Sequence, residues 1–363
     1  MVISVNNGKL DGRQGSAVDE LIHLRLHGLN NETGTRFWMM KSILQILLAL
    51  FVAAGLAFGD VGAVHAAPQK KKPATGKKVT KPAPHAMSKK KVVDAQDAKL
   101  AAAIEADDGP VPKLSSGSVA VIDQATGNVL YEKNANAVVP IASITKLMTA
   151  MVALDAQPSL SETLTISSED LDTIKGTHSR LALGTQLSRE EMLRLALMSS
   201  ENRAASALSR HYPGGRSAFV AAMNAKARIL GMTDTHFSDP TGLTPENVSS
   251  ARDLARLVDA AHHYPLIREF STSDEYQVAV RGRPQMFHNT NALVKSDKWT
   301  IGLSKTGYIS EAGKCLVMQA WLDNKPTIIV LLDSWGRLTR IGDANRIKRW
   351  VESLAAGSGV IRS

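Results

Sequence analysis

Strand-type alternation occurs in two places far apart in this chain, and most of what separates them is helical in pattern. That order restricts the possible folds more than any other feature. The early strands lie in Ser116–Asn134, SGSVAVIDQATGNVLYEKN, where Val119 and Val121, then Val129 and Leu130, flank a Thr126-Gly127-Asn128 turn. The pattern predicts a β-hairpin. The late strands are WTIGLSKTGY (Trp299–Tyr308), KCLVMQAWLD (Lys314–Asp323) and PTIIVLLDS (Pro326–Ser334), the last two joined by a turn at Asp323–Pro326. Between them, Ser188–Tyr212 and Gly215–Met232 repeat apolar residues at helical spacing, the second ended by Gly231, and Ser250–Tyr264 is capped by Ser249 or Ser250. Ala344–Ala356 reads as a closing amphipathic helix, and no internal repeat is visible. The simplest packing sets the early hairpin beside the late strands in one five-stranded antiparallel sheet. The closing helix covers the sheet and the middle segment forms a separate, mostly helical lobe, an α/β (α+β) architecture.

Charge confines this fold to the chain from about Asp94 onward. The formal charge is +9, and Pro68–Val93 alone holds nine lysines and no acidic residue, so the remainder balances to zero. The basic pI therefore reports a tether, and nucleic-acid binding by the folded part is set aside. Residues 67–93, rich in Lys, Pro and Ala, are expected to be a disordered spacer; attraction to anionic envelope polymers is the alternative. Residues 39–66 read as an export signal: Lys41 is followed by an uncharged run, Ser42–Gly59, and Val64-His65-Ala66 offers small residues for a signal peptidase. A retained N-terminal anchor is the other reading. Residues 1–38 form a polar leader, with translation expected to start at Met39 or Met40. The single cysteine, Cys315, excludes an internal disulfide, and its apolar neighbours place it in a buried strand without chemistry. Isolated histidines lack metal-ligand spacing, so neither metal nor cofactor is expected.

The segment Pro140–Leu154, PIASITKLMTAMVAL, predicts a helix from about Ser143, with Ile144, Leu147, Met148, Met151 and Val152 on its apolar face. Ser143 and Lys146, three apart, share its first turn. Alone, S-x-x-K means little; SKKK at Ser88–Lys91 also fits it, in a stretch that cannot pack. Two further motifs follow in order: Ser200-Glu201-Asn202 and Lys305-Thr306-Gly307, the K-T-G occurring once. Ser4-Val5-Asn6 is a chance match to S-x-N in the leader. A cleft between the lobes would collect all three motifs. Ser143 is a weak nucleophile unless a neighbour takes its proton, and Lys146 can do so only when neutral. Burial and a second cation, Lys305 on the facing strand, both favour that form. Ser143 at a helix start also gains from the dipole, and its own N–H can face a developing oxyanion.

Together these motifs resemble the penicilloyl serine transferases, that is, penicillin-binding proteins and active-site serine β-lactamases. The resemblance implies the serine β-lactamase/DD-peptidase fold. It also implies that Tyr308 N–H is the second oxyanion donor and that Ser200 relays a proton to the leaving amine. Asn202 would bind the substrate's peptide carbonyl, Lys305 with Thr306 its carboxylate end, and Gly307 would let the substrate backbone lie against the strand. PIASITKLMTAMVALDA, LALMSSENRAA, MNAKARILGM, DPTGL, HNTNALV and KTGY narrow the resemblance to S11-type low-molecular-mass D-alanyl-D-alanine peptidases, over roughly Ser116–Ala356. Within them the chain is similar to the endopeptidase branch. That branch implies cleavage of D-alanyl–diaminopimelate cross-links in peptidoglycan through an acyl-enzyme on Ser143, a periplasmic location and acylation by β-lactams. The 58 residues after Lys305 are expected to leave no room for the second β-domain and amphipathic anchor of related carboxypeptidases. No E-x-x-L-N lies between Asn202 and Lys305, so rapid drug hydrolysis is not expected. Glu201, bulky and charged inside the S-x-N, is expected to point away from the nucleophile. A D-alanyl-D-alanine carboxypeptidase using the same residues is the nearest alternative; a non-catalytic wall-binding or penicillin-sensing module is a more distant one. A monomer is expected.

Overall fold

The chain enters the sheet through β1 (Ser118–Asp123) and β2 (Val129–Lys133), the anticipated hairpin, with Gly127 at φ +73 in its turn. This computed structural model describes residues 111–336 and 338–358, which lie within one unit, Pro84–Ser363. The leader, signal and linker expected at 1–38, 39–66 and 67–93, and the boundary at Asp94, lie outside the described residues. A two-residue strand β3 (Val139–Pro140) leads into a 3₁₀ turn, Ala142–Ile144, and then α1 (Thr145–Asp155). Next come β4 (Thr163–Thr165), β5 (Gln186–Ser188), α2 (Arg189–Met198), α3 (Asn202–Arg210), α4 (Gly215–Ile229), β6 (Val248–Ser249), α5 (Ala251–His262) and α6 (Pro265–Thr272). A hairpin, β7 (Glu275–Val280) and β8 (Arg283–His288), precedes the long strands β9 (Thr300–Ile309), β10 (Gly313–Leu322) and β11 (Lys325–Ser334), and α7 (Thr339–Ser358) closes the fold.

The sheet is antiparallel with order β2-β1-β11-β10-β9, so the early hairpin lies beside the three late strands as expected, joined to them through β1–β11, and β9 lies at an edge. The β10–β11 turn places Asp323 and Asn324 at φ +49 and +58, the paired left-handed residues of a two-residue hairpin loop. Successive side chains on these strands serve two different cores. Val119, Val121, Leu316, Met318, Ile329 and Leu331 face α7 and meet Ala344, Ile347 and Val351. Ala120, Val317, Val330 and Leu332 face the other way, into a core shared with α1, α2, α3 and α5. A sheet covered on both faces needs nearly continuous apolar strands, which is why β10 and β11 do not alternate with polar residues.

The structure revises the sequence reading in three places. Ser188–Tyr212 is two helices: Ser188 opens α2 with a reciprocal capping box to Glu191, but the chain breaks at Ser199–Glu201. The middle segment is not a separate lobe throughout, because α5 packs on β10 and β11 and α6 on β9. It also holds the β7–β8 hairpin and α6, which periodicity left unassigned. The expected caps are present: Ser250 Oγ accepts from Asp253 N–H at 3.3 Å, and Gly231, at φ +67, follows α4.

Candidate active site

Ser143 sits in the 3₁₀ turn that precedes α1 rather than in the helix itself. Several contacts hold that turn. β3 pairs with β6, Ile141 N–H donates to Asn247 O at 3.0 Å, and Asn247 Nδ2 donates to Thr145 Oγ1 at 3.0 Å. Ala142, beside Ser143, has φ +48, a strained value for a residue with a Cβ. Gly242 packs directly beneath it, and a Cβ there would lie 2.0 Å from Ala142 O. Gly242 belongs to Asp239–Leu243, the DPTGL stretch, whose turn is organised by the Asp239 carboxylate; this accepts from Thr241 Oγ1 and Gly242 N–H, each at 2.7 Å.

Lys146 is fully buried and its Nζ lies 2.8 Å from Ser143 Oγ, 2.7 Å from Asn202 Oδ1 and 2.6 Å from the Thr241 carbonyl. Burial pushes the ammonium down to about 7, against the carboxylates of Asp239 and Glu201, which pull it back up. A neutral amine has two hydrogens and one lone pair. Asn202 Oδ1 and Thr241 O can only accept, so they take the hydrogens and leave the lone pair facing the Ser143 hydroxyl. The arrangement is that of a base already aimed at its nucleophile.

Ser200 occupies the break between α2 and α3 at φ +61, where helices usually place glycine. This backbone turns the Ser200 hydroxyl toward β9, where it lies 2.9 Å from Lys305 Nζ, and starts α3 with Asn202 beside Lys146. Glu201 points away from the nucleophile as expected: its carboxylate accepts from Ser179 Oγ at 2.6 Å and pairs with Arg180 at 3.5 Å.

Lys305, also buried, donates to Ser200 Oγ and, at 2.8 Å, to Thr306 O. Burial holds its ammonium well below the usual range, and the charges of Lys146 and Arg340 lower it further. Of the two causes the sequence reading named, burial and the Lys305 cation, burial leads at both lysines, and their mutual repulsion bears on Lys305. Gly307 also has a reason within the fold itself, beside the role toward substrate that the resemblance implies. A Cβ there would lie 3.0 Å from Ile141 O and 3.1 Å from Ser143 N, so the glycine lets β9 press against the nucleophile's own turn.

These elements enclose a cleft of about 290 Å³ lined by Ser143, Ser200, Asn202, Thr306, Gly307 and Tyr308, with both lysines buried at its base. All eight predicted site residues thus come together. Larger hollows, of about 660 Å³ and 390 Å³, hold none of them, so size does not locate the chemistry. The cleft is also lined by Thr177, Leu243, Thr290 and Arg340, which the motifs did not single out. Thr290 accepts from Thr306 Oγ1 at 2.6 Å and lies in HNTNALV, so a sequence signal for it existed. Arg340, at the start of α7, donates to the carbonyls of Gly307 and Cys315 at 3.2 Å each and leaves its Nε buried without a partner. Nothing local marks it. It is the charged member of the cleft lining, suited to an anionic end of a substrate.

Residues 104–335 match the family model of peptidase S11, described as D-alanyl-D-alanine carboxypeptidase. The chain is 52% identical over 244 residues to a D-alanyl-D-alanine endopeptidase of Pseudomonas aeruginosa, covering 66% of this chain and 78% of that protein. It is 48% identical over 259 residues to a D-alanyl-D-alanine endopeptidase of Escherichia coli, covering 70% of this chain and 82% of that one. Among solved structures, the Streptomyces K15 DD-transpeptidase superposes with a TM-score of 0.61 at 28% identity, covering 66% of this chain and 97% of that one. The buried base beside a half-buried, cleft-lining serine and these likenesses agree: the chain belongs to the S11 family of serine-type D-alanyl-D-alanine peptidases.

Proposed function

We propose that this protein is a D,D-endopeptidase that cleaves D-alanyl–diaminopimelate cross-links in peptidoglycan. The observation that carries the reading is the Lys146 amine 2.8 Å from Ser143 Oγ at the base of a cleft walled by Ser200, Asn202, Thr306 and Gly307. Neutral Lys146 takes the Ser143 proton as Oγ attacks the D-alanyl carbonyl, and the N–H groups of Ser143 and Tyr308 receive the oxyanion. Such a donor is worth about 10²–10³ in rate. As the intermediate collapses, Ser200 gives its proton to the departing amine and is resupplied with the one Lys146 took, so that Lys146 is neutral again and an ester remains on Ser143. Water then attacks that ester, losing a proton to Lys146, which passes it to the departing Ser143 oxygen, and a free acid and serine are restored. Asn202 Nδ2 holds the peptide carbonyl of the donor strand, while Lys305, Thr306 and Arg340 receive the substrate's carboxylate end, here the diaminopimelate carboxylate beside the departing amine. A β-lactam enters the same sequence, but its amine stays tethered to the acyl group. In this reading the protein is exported to the periplasm by residues 39–66, reaches murein on the spacer 67–93, and acts as a monomer without a membrane anchor or cofactor.

The endopeptidase assignment draws on the two relatives of that name, since a carboxypeptidase would use the same residues. Purified protein incubated with murein and defined muropeptides, with products read by mass spectrometry, separates the two. Loss of cross-linked dimers to monomers with terminal D-alanine untouched is the expected result. Release of free D-alanine alone would make it a carboxypeptidase, and binding without turnover would make it a sensing module.

A further inference from the structure

We infer that Thr177, itself held by Asp172, is a positioning residue that fixes the orientation of the Asn202 amide, so that one end of it meets the Lys146 amine and the other is presented to substrate. The inference rests on the proposed role of Ser143 as nucleophile. It begins with the turn Asp172–Thr177, which no sequence motif covers. The Asp172 carboxylate accepts from the N–H groups of Ile174 and Lys175 at 2.8 and 2.9 Å on one oxygen, and from Thr177 N–H and Oγ1 at 2.7 and 2.6 Å on the other. Burial works to raise its pKa, but the hydrogen bonds from Thr177, Lys175 and Ile174 overcome that and bring it down to about 2, so it stays ionised wherever the enzyme works. Gly176, at φ +62, permits the tight return of the chain, and Lys175 forms an ion pair with Glu311 in the β9–β10 turn, tying this loop to the opposite wall of the cleft.

An ionised carboxylate can only accept. The Thr177 hydroxyl proton is therefore committed to Asp172, and toward Asn202 the Thr177 oxygen can only receive. Asn202 Nδ2 donates to it at 3.1 Å. That bond decides which end of the amide faces which neighbour: with Nδ2 on Thr177, Oδ1 must face Lys146 Nζ, where it lies at 2.7 Å. A flipped amide would set its NH₂ against the donors of Lys146 and its oxygen against the lone pairs of Thr177, losing both hydrogen bonds. Polarity is thus transmitted from Asp172 through Thr177 and Asn202 to Lys146. Nδ2 has a second hydrogen, and both Asn202 and Thr177 line the cleft, so that hydrogen is available to a substrate carbonyl.

The test compares Thr177→Val, Thr177→Ser and the unaltered protein in second-order acylation by a fluorescent penicillin, measured on either side of pH 7, with thermal melts alongside. Thr177 is exposed, so neither change should alter folding. In Thr177→Val the rate at high pH should fall about 10–100-fold, the scale expected for a misplaced reactive group. The acid limb should also move to lower pH, because a loosened Asn202 Oδ1 no longer supports the charged form of Lys146. The other charged groups that face Lys146, namely Asp239, Glu201 and Lys305, are unchanged by the substitution. A purely structural role for Thr177 would not move that limb. Thr177→Ser keeps the hydroxyl and should restore both rate and profile. A valine variant that acylates at the unaltered rate with an unmoved limb would overturn the inference, as would a serine variant equally impaired. If the unaltered protein takes no label at all, the proposed nucleophile fails and this inference fails with it; normal labelling beside an indifferent valine variant removes the inference alone.

Discussion

Asp343 and Lys146 are both fully buried, on opposite sides of the central sheet, and the molecule treats their charges differently. Asp343, near the start of α7, accepts from Ser115 and Ser116 N–H groups and from Ser116 Oγ, and pairs with Arg346 at 2.8 Å. Every lone pair is answered, and around it lies an apolar interface of Leu316, Met318, Leu331, Ile347 and Val351. Lys146 has good acceptors too, yet its nearest partners beyond its own turn are a neutral amide and a carbonyl, not a carboxylate at contact distance. A buried ammonium with neutral partners gives up its proton; one bonded directly to a carboxylate keeps it. The closing-helix side is therefore compensated for stability, whereas the catalytic side is left short of counter-charge so that a base exists near neutral pH.

Lys146→Met tests the contrast most severely. Acylation by penicillin should drop by about 10³-fold or more, because no proton acceptor remains. Melting temperature should hold or rise, since an apolar side chain of similar volume removes a desolvated amine. The pH dependence carries a sign. The Lys146 pKa is about 7 when folded and near 10.5 when unfolded, so between these values the unfolded chain binds more protons and stability climbs with pH. The methionine variant should lose part of that climb; an unchanged slope in thermal melts would show that Lys146 is not neutralised by burial. Ile347→Ala on the other side should behave in the opposite way, costing about 2–5 kcal/mol of stability through the cavity it leaves. Its acylation rate, measured below the melting transition, should match the unaltered protein. Gly307→Ala should give the smallest effect and a mixed one, because its new Cβ presses on Ile141 O and Ser143 N at once. About 1–3 kcal/mol of stability should be lost, with roughly a tenfold slower acylation from the displaced turn. A Gly307→Ala protein that labels normally would show that β9 and the nucleophile turn adjust independently.

The same contrast explains what could be read in the sequence. Alternating apolar residues reported the sheet and its covering helix, because burial there obeys a simple period. The three motifs reported Ser143, Lys146, Ser200, Asn202 and Lys305–Gly307, because chemistry restricts those residue types. What stayed hidden depends on where backbone atoms approach one another. Periodicity ran straight through Ser188–Tyr212, since a single left-handed residue at Ser200 changes no side-chain pattern on either side. Gly242 and Gly307 look like ordinary turn and strand glycines until α1's entry turn is found against both. Arg340 and Thr177 reach the cleft from elements distant in sequence, and spacing carries no information about that.

The left-handed conformation at Ser200 has a consequence for how this protein can change over generations. Serine there costs on the order of 1–2 kcal/mol of backbone strain relative to glycine. Its hydroxyl returns about as much, because it accepts from the buried Lys305 Nζ at 2.9 Å and its loss would leave a buried donor short of a partner. A lineage released from selection on peptidoglycan cleavage would therefore find Ser200→Gly nearly neutral for folding. Its descendants could keep the cleft, the buried lysines and the fold while losing the hydroxyl to which the proposed proton relay is assigned.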